Sequence, residues 1–203
     1  MKYIITEQQY RFLTEEYEEQ KILKLPGIEY FGSWETMQKF LEKRGNPLYS
    51  IDGDFKLRKS KIKSINNLVS VGGFLDLYGS EIESLDNLVS VGGNLYMRMT
   101  PIKDLGNLKE VGGSLYLFNT PVKDLGNLKK VGGYLNLTQS NINDLGNLEY
   151  VGGNLYLYGI PIQSIGNLKK VEGSLDLENT RLSQMYSIED IAEMIDVGGD
   201  IHI

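Results

Sequence analysis

The residues able to do chemistry in this 203-residue chain are few in kind and regular in position. There is no cysteine and a single histidine, His202. Without thiolates there is no disulfide, no cysteine nucleophile and no zinc knuckle. One imidazole at position 202 supplies neither a Ser-His pair nor a histidine metal cluster. Carboxylates remain, but a glycosidase pair must stand ~5 to 9.5 Å apart, and Asp76 and Asp176 are five repeats apart, about 24 Å at strand spacing. Asp104, Asp124 and Asp144 recur at steps of 20 residues and invite a cation-site reading. The same position holds Ser64, Ser84 and Ser164, which suits the N-cap of a short helical or 3-10 turn better. No catalysis, no cofactor and no metal is therefore expected. The chemistry that does recur is aromatic. Phe74, Tyr78, Tyr96, Arg98, Tyr116, Phe118, Tyr134, Tyr156 and Tyr158 fall at outward positions of the strands read below, and Tyr and Arg are what recognition surfaces use.

These side chains are positioned by an internal repeat. VGGFLDLYGSEIESLDNL (71–88) returns as VGGNLYMRMTPIKDLGNL (91–108), VGGSLYLFNTPVKDLGNL (111–128), VGGYLNLTQSNINDLGNL (131–148) and VGGNLYLYGIPIQSIGNL (151–168). Weaker copies start at Ile51 and Val171, and VGGDIHI (197–203) follows at a step of 26 instead of 20. Leu75 and Leu77, with Phe74, Asp76 and Tyr78 around them, carry the period-2 signature of a strand buried on one face. Twenty residues is too short for a strand pair plus a long helix. One strand and a compact return, stacked on its neighbours, is the fitting object, and one such coil cannot stand alone. Eight coils are expected over 51–203. The paired glycines, such as Gly112 and Gly113, fit either a positive φ or a close approach between coils, and the asparagines from Asn67 to Asn167 read as a ladder satisfying return-segment backbone.

The pattern Leu-x-Leu-x-x-Thr-x-Ile-x-x-Leu-x-Asn-Leu-x-x-Val-x-Gly resembles a minimal leucine-rich repeat. It is similar to the short coils of receptor L-domain-like proteins and of bacterial and phage repeat proteins. The resemblance covers about residues 51–180. It implies an α/β solenoid, right-handed, whose parallel strands line a face used mainly to bind proteins. The chain departs from that pattern where a buried Asn or Cys is usual: Ser60, Ser80, Thr100, Thr120, Ser140 and Thr180 stand there, with Ile160 the exception.

The ends must cover apolar cross-sections. Residues 1–50 are expected to form a helical N-terminal cap. Thr6 and Gln9 make a capping box for a helix near 7–20 that ends in the Leu23–Pro26 stretch. Ser33 caps a second helix near 34–44 with Trp34, Met37, Phe40 and Leu41 as its apolar stripe, and Gly45 stands at its C-terminal cap. A short helix over 187–196 accounts for the six extra residues before the last strand. The terminal strand Asp200–Ile203 has an edge expected either to lie under that helix or to pair with its copy in a homodimer. A net charge of −6 argues against nucleic acid. No run approaches the ~18 to 20 apolar residues of a membrane span, and the start lacks the apolar region of a signal peptide. A cytoplasmic setting, with virion association as a variant, follows. The function expected is a non-enzymatic scaffold binding a protein partner through its aromatic face. A carbohydrate-binding or structural surface protein using the same aromatics is the alternative, and cross-strand stabilisation of the sheet is the bland account of the same residues.

Overall fold

A strand that exposes one residue and buries the next needs a partner on each side and a core behind it, and the repeat supplies both. The computed structural model describes residues 22–203 and shows a parallel β-solenoid of about six turns. Two parallel sheets form its walls, one of nine strands and one of eight. In the second sheet the strands Phe55–Lys56, Leu75–Asp76, Leu95–Tyr96, Leu115–Tyr116, Leu135–Asn136, Leu155–Tyr156 and Leu175–Asp176 pair in order, every partner 20 residues on. Ile201–His202 closes that sheet against Leu175–Asp176. The first sheet stacks Val71, Val91, Val111, Val131, Val151 and Val171 in the same way. The third side of each coil is irregular backbone.

The core is a set of columns running the length of the stack. In the fourth repeat Val111, Leu115, Leu117, Val122, Leu125 and Leu128 are all fully buried, and their equivalents elsewhere stay buried almost without exception. The Ser/Thr position is also interior, with Thr100, Thr120 and Thr180 donating to the carbonyls of Met97, Leu117 and Leu177 at 2.7–2.8 Å.

For the glycine pairs, close approach is the reading that holds. Neither Gly112 nor Gly113 has a positive φ. A Cβ on Gly112 would overlap the carbonyl oxygen of Gly92, and one on Gly113 would overlap Asn94 Oδ1. Left-handed backbone occurs in two other columns, from Lys59 to Asn179 and from Asn66 to Gly166, where non-glycine residues such as Met99 (φ 58°) and Asp86 (φ 50°) adopt it alongside Gly106 and Gly126. The asparagine ladder holds over part of its length: Asn107, Asn127 and Asn147 each donate from Nδ2 to the previous turn, onto the carbonyls of Asp86, Gly106 and Gly126 at 2.9–3.3 Å, whereas Asn87 donates to the Asn67 side chain and Asn167 reaches the Gly146 carbonyl through its backbone N–H. The aspartates ahead of them do not cap a helical turn. Asp104 and Asp124 accept the N–H of Gly106 and Gly126, two residues on, at 3.0 and 2.9 Å, and Asp144 does the same for Gly146. These are Asx turns leading into a left-handed glycine.

The expected helix over 7–20 lies outside the described residues. Leu23–Leu25 is not the end of a helix but a strand, paired in parallel with Tyr49–Ile51 at the margin of the first sheet. Helix α1 (Trp34–Glu42) follows, with Ser33 accepting from the Thr36 N–H and with Trp34, Met37 and Leu41 buried. It is preceded by a 3-10 turn over Ile28–Tyr30. Near the other end a short helix, α2 (Leu182–Met185), not foreseen in the sequence, precedes α3 (Ile188–Met194). Ser187 and Asp190 form a reciprocal capping box on α3, and Ile191 is its buried residue. The insertion leaves the register intact, since Val171 pairs with Val197 and Asp176 with His202. Asp200, His202 and Ile203 stay exposed, so α3 does not cover the last strand. Among the described residues no helix is long and apolar enough to cross a membrane.

Candidate binding face

Of the nine residues singled out in the sequence, Tyr96, Tyr116 and Tyr156 lie in strands of the second sheet and the other six flank those strands by one or two residues, and strict register turns a step of 20 residues into a step to the next strand. They occupy three parallel columns. The middle one runs Lys56, Asp76, Tyr96, Tyr116, Asn136, Tyr156, Asp176, His202. Tyr96 and Tyr116 stack with centroids 5.0 Å apart and planes within 4°, and Phe74 meets Tyr96 edge-on at 6.2 Å. One face of the Tyr96 ring is thus taken up by Tyr116, and Phe74 packs beside it. Asn94 and Asn154 donate to the hydroxyls of Tyr96 and Tyr156 at 2.8 and 2.9 Å, fixing those rings.

The column at the strand ends runs Arg58, Tyr78, Arg98, Phe118, Thr138, Tyr158, Glu178. Arg58 lies over Tyr78 at 4.6 Å and Arg98 over Phe118 at 5.0 Å, so cations and rings alternate. Arg58 also reaches Asp76, with Nε 3.4 Å from the carboxylate. Phe74, Tyr78, Tyr96, Tyr116, Phe118 and Tyr156 are half-buried, whereas Arg98, Tyr134 and Tyr158 are exposed.

The remaining column reads differently in three dimensions from its appearance in the sequence. Asp54, Asn94, Ser114, Asn154 and Ser174 look like freely chosen outward residues, yet each accepts the backbone N–H of the next coil, at Phe74, Ser114, Tyr134, Ser174 and Asp200, over 2.7–3.2 Å. Their oxygens fill the space that the paired glycines leave empty. Short Asp, Asn and Ser one residue past the glycine are the signal for this role. Tyr134, in the same column, instead lays its ring against Gly153. In the middle column Asp76, Asn136 and Asp176 accept the N–H two residues on, at 3.0 Å.

Charge separates the two walls. On the first sheet it is compensated locally: Lys130 pairs with Glu110 at 2.9 Å, Lys169 with Glu149 at 2.8 Å, and Lys170 with Glu172 at 3.1 Å and Asp196 at 3.5 Å. Hydrogen bonding to these lysines' carboxylate partners raises the Lys130 and Lys170 pKa values and lowers that of Glu149. On the second sheet Lys56 and Arg58 sit at the Phe55 end beside Asp54 and Asp76, Arg98 stands on the Leu95–Tyr96 coil, and at the other end the acidic Asp176, Glu178 and Asp200 have no ion-pair partner among the described residues. A groove of about 440 Å³ between α1 and the Asn66 and Asp86 turns is a weaker candidate, because its polar groups satisfy one another. Ser64 donates to Asp86 at 2.6 Å, Asn67 to the Asn46 carbonyl at 2.7 Å, and Asn87 to Asn67 at 3.0 Å.

Comparison with protein-family models, curated proteins and solved structures returns no match.

Proposed function

We propose that this chain is a non-enzymatic interaction scaffold that holds a protein partner on the outer face of its second sheet. The observation carrying this reading is the aromatic strip itself: Tyr96, Tyr116 and Tyr156 in one column, flanked by Tyr78, Arg98, Phe118 and Tyr158, on rigid strands that lose little freedom on binding. Kinship with leucine-rich repeats belongs to this reading, with a right-handed winding, a count of eight coils from the Phe55 strand to the Ile201 strand, and an N-terminal cap over 1–50 in which helix α1 is joined by the Leu23–Leu25 strand. So does a cytoplasmic or virion-associated setting. Catalysis is disfavoured by the open, flat face and by the ~24 Å that five strand spacings put between Asp76 and Asp176.

Sugar binding is the second reading. It requires rings presented face-on, and the mutual stacking of Tyr96 and Tyr116, which takes up one face of each ring, favours a protein surface instead. Tyr134 and Tyr158, 49% and 44% exposed, are the rings a sugar would use. Affinity capture with the wild type and with Tyr96→Ala/Tyr116→Ala/Tyr156→Ala decides between outcomes. The reading expects a specific protein retained by the first and lost by the second. Identical captures reject the face. Glycan-array binding that Tyr116→Ala abolishes would move the assignment to carbohydrate.

A further inference from the structure

Resting on the aromatic-face reading, we propose that the partner is a second copy of this chain, docked sheet to sheet about a two-fold axis that runs along the Leu115–Tyr116 strand. A partner for this face must match an aromatic centre, the exposed cations Lys56 and Arg58 at one end, and Asp176 and Glu178 at the other. The chain itself is such a partner when reversed. In the strand order of the second sheet, Phe55–Lys56 lies three strands to one side of Leu115–Tyr116, and Leu175–Asp176 lies three strands to the other. A two-fold through the middle strand therefore sets Lys56 against Asp176 and Arg58 against Glu178, once at each end. Nearer the centre it sets Tyr78 against Tyr158, and on the axis Tyr116 meets its own copy.

The side chains are available for this. Lys56 and Arg58 are 54% and 60% exposed, their contacts with Glu29 (3.9 Å) and Asp76 (3.4 Å) notwithstanding. Asp176 and Glu178 lack an ion partner among the described residues, whereas the first sheet neutralises its charges within itself. Opposite charges at equal distances from a shared apolar centre are what an isologous interface requires, since each patch meets its complement on the same surface. The six strand spacings measure ~29 Å and the width from the Asp54 to the Arg58 column ~13 Å. That flat outline of ~380 Å² per copy is below the ~800 Å² per partner of a standard stable interface, so the dimer is a dissociating one, micromolar or weaker.

Sedimentation across micromolar to sub-millimolar concentrations tests it, using the full chain. The wild type is expected to show reversible dimerisation that weakens with salt and with Tyr116→Ala. Lys56→Glu/Arg58→Glu places acid against acid at both ends, and Asp176→Lys/Glu178→Lys places base against base. Each alone should lower association on the order of tenfold or more, while an equimolar mixture of the two should recover it as a heterodimer. Because Asp176 also accepts the Glu178 N–H, Glu178→Lys alone is the second acidic-end variant, and circular dichroism checks that every variant is folded. A monomeric wild type overturns the proposal, as does a dimer indifferent to both charge reversals, including one that assembles by its Ile201–His202 edge. Either result is separable from failure of the aromatic-face reading. If the wild type is monomeric but the triple alanine variant loses a captured protein, the face stands and its occupant is another protein; unchanged capture removes the face as well.

Discussion

The interior Ser/Thr column yields a stability prediction with a magnitude that can be worked from neighbouring coils. Thr100, Thr120 and Thr180 donate to the carbonyl three residues back, but the equivalent hydroxyls of Ser80 and Ser140 are buried without a hydrogen-bond partner. Threonine's methyl occupies one rotamer well and restricts the hydroxyl's choice. Serine lacks that restriction. The column has room for the extra carbon, since Ile160 is accommodated there at 2% exposure. Ser80→Thr and Ser140→Thr should each add a buried methyl, about 0.8 kcal/mol. Each also restores a hydrogen bond, about 1 kcal/mol net, giving a range of about 0.8 to 2 kcal/mol per site. At ~2 to 4 °C per kcal/mol for a chain of this size, the double variant should melt several degrees above wild type. Thermal unfolding by circular dichroism reads the shift, and Thr120→Ser should move the midpoint the other way. If Ser80→Thr/Ser140→Thr is neutral or destabilising while Thr120→Ser costs nothing, hydroxyl geometry does not distinguish the threonine coils from the serine coils.

Two further perturbations separate mechanisms that look alike in the sequence. Gly112→Ala should cost about 3 kcal/mol by forcing a Cβ into the Gly92 carbonyl at an unstrained φ. Gly126→Ala, where φ is 56° and the nearest atom is 3.4 Å away, should cost only about 1 kcal/mol of backbone strain, and a reversed order in denaturant titrations would refute the assignment. Glu172 holds the equivalent place over Gly152 with its N–H still reaching the Val151 carbonyl at 2.9 Å, so the cost at Gly112 is that of the local backbone shift a Cβ demands there. Tyr49 is buried with its hydroxyl donating to the Ile65 carbonyl at 2.8 Å, and burial first, then the Asp86 charge, raises its pKa well above the usual 10.0. A raised folded pKa means stability that is intact below pH ~10 and is lost above it as the unfolded phenol ionises. Tyr49→Phe should cost about 1 to 3 kcal/mol at neutral pH, by leaving the Ile65 carbonyl unpaired. It should also flatten the alkaline limb of the stability curve, and an unchanged limb would refute this.

Much of this molecule can be read without coordinates because its period is exposed in every repeat. Leu75, Leu77, Ile82, Leu85, Leu88 and Val91 announce their burial by returning at each step of 20, and the aromatic columns follow from the same register. Ser33, Gly45 and the Ser187–Asp190 pair mark helix ends through local chemistry. Contacts across the stack leave a weaker trace. Asn94 and Ser114 vary in type while doing one job, reaching the next coil's N–H, so they look like surface choices. The left-handed position occupied by Lys59, Gly79, Met99 and Asn119 has no common residue type, because the surrounding coil imposes the conformation. Leu23–Leu25 becomes a strand only because Tyr49–Ile51 offers it a partner, which no local pattern reports.

Identical rungs have a metric consequence. Every repeat adds one strand to the second sheet and leaves the register of its neighbours untouched, so the separation between Lys56 and Asp176 is fixed by the number of units between them, in increments of ~4.8 Å. Insertion or loss of a unit would reset that span without altering any single contact within a coil. The solenoid is in this sense a ruler, and whatever it engages is gauged by count rather than by shape.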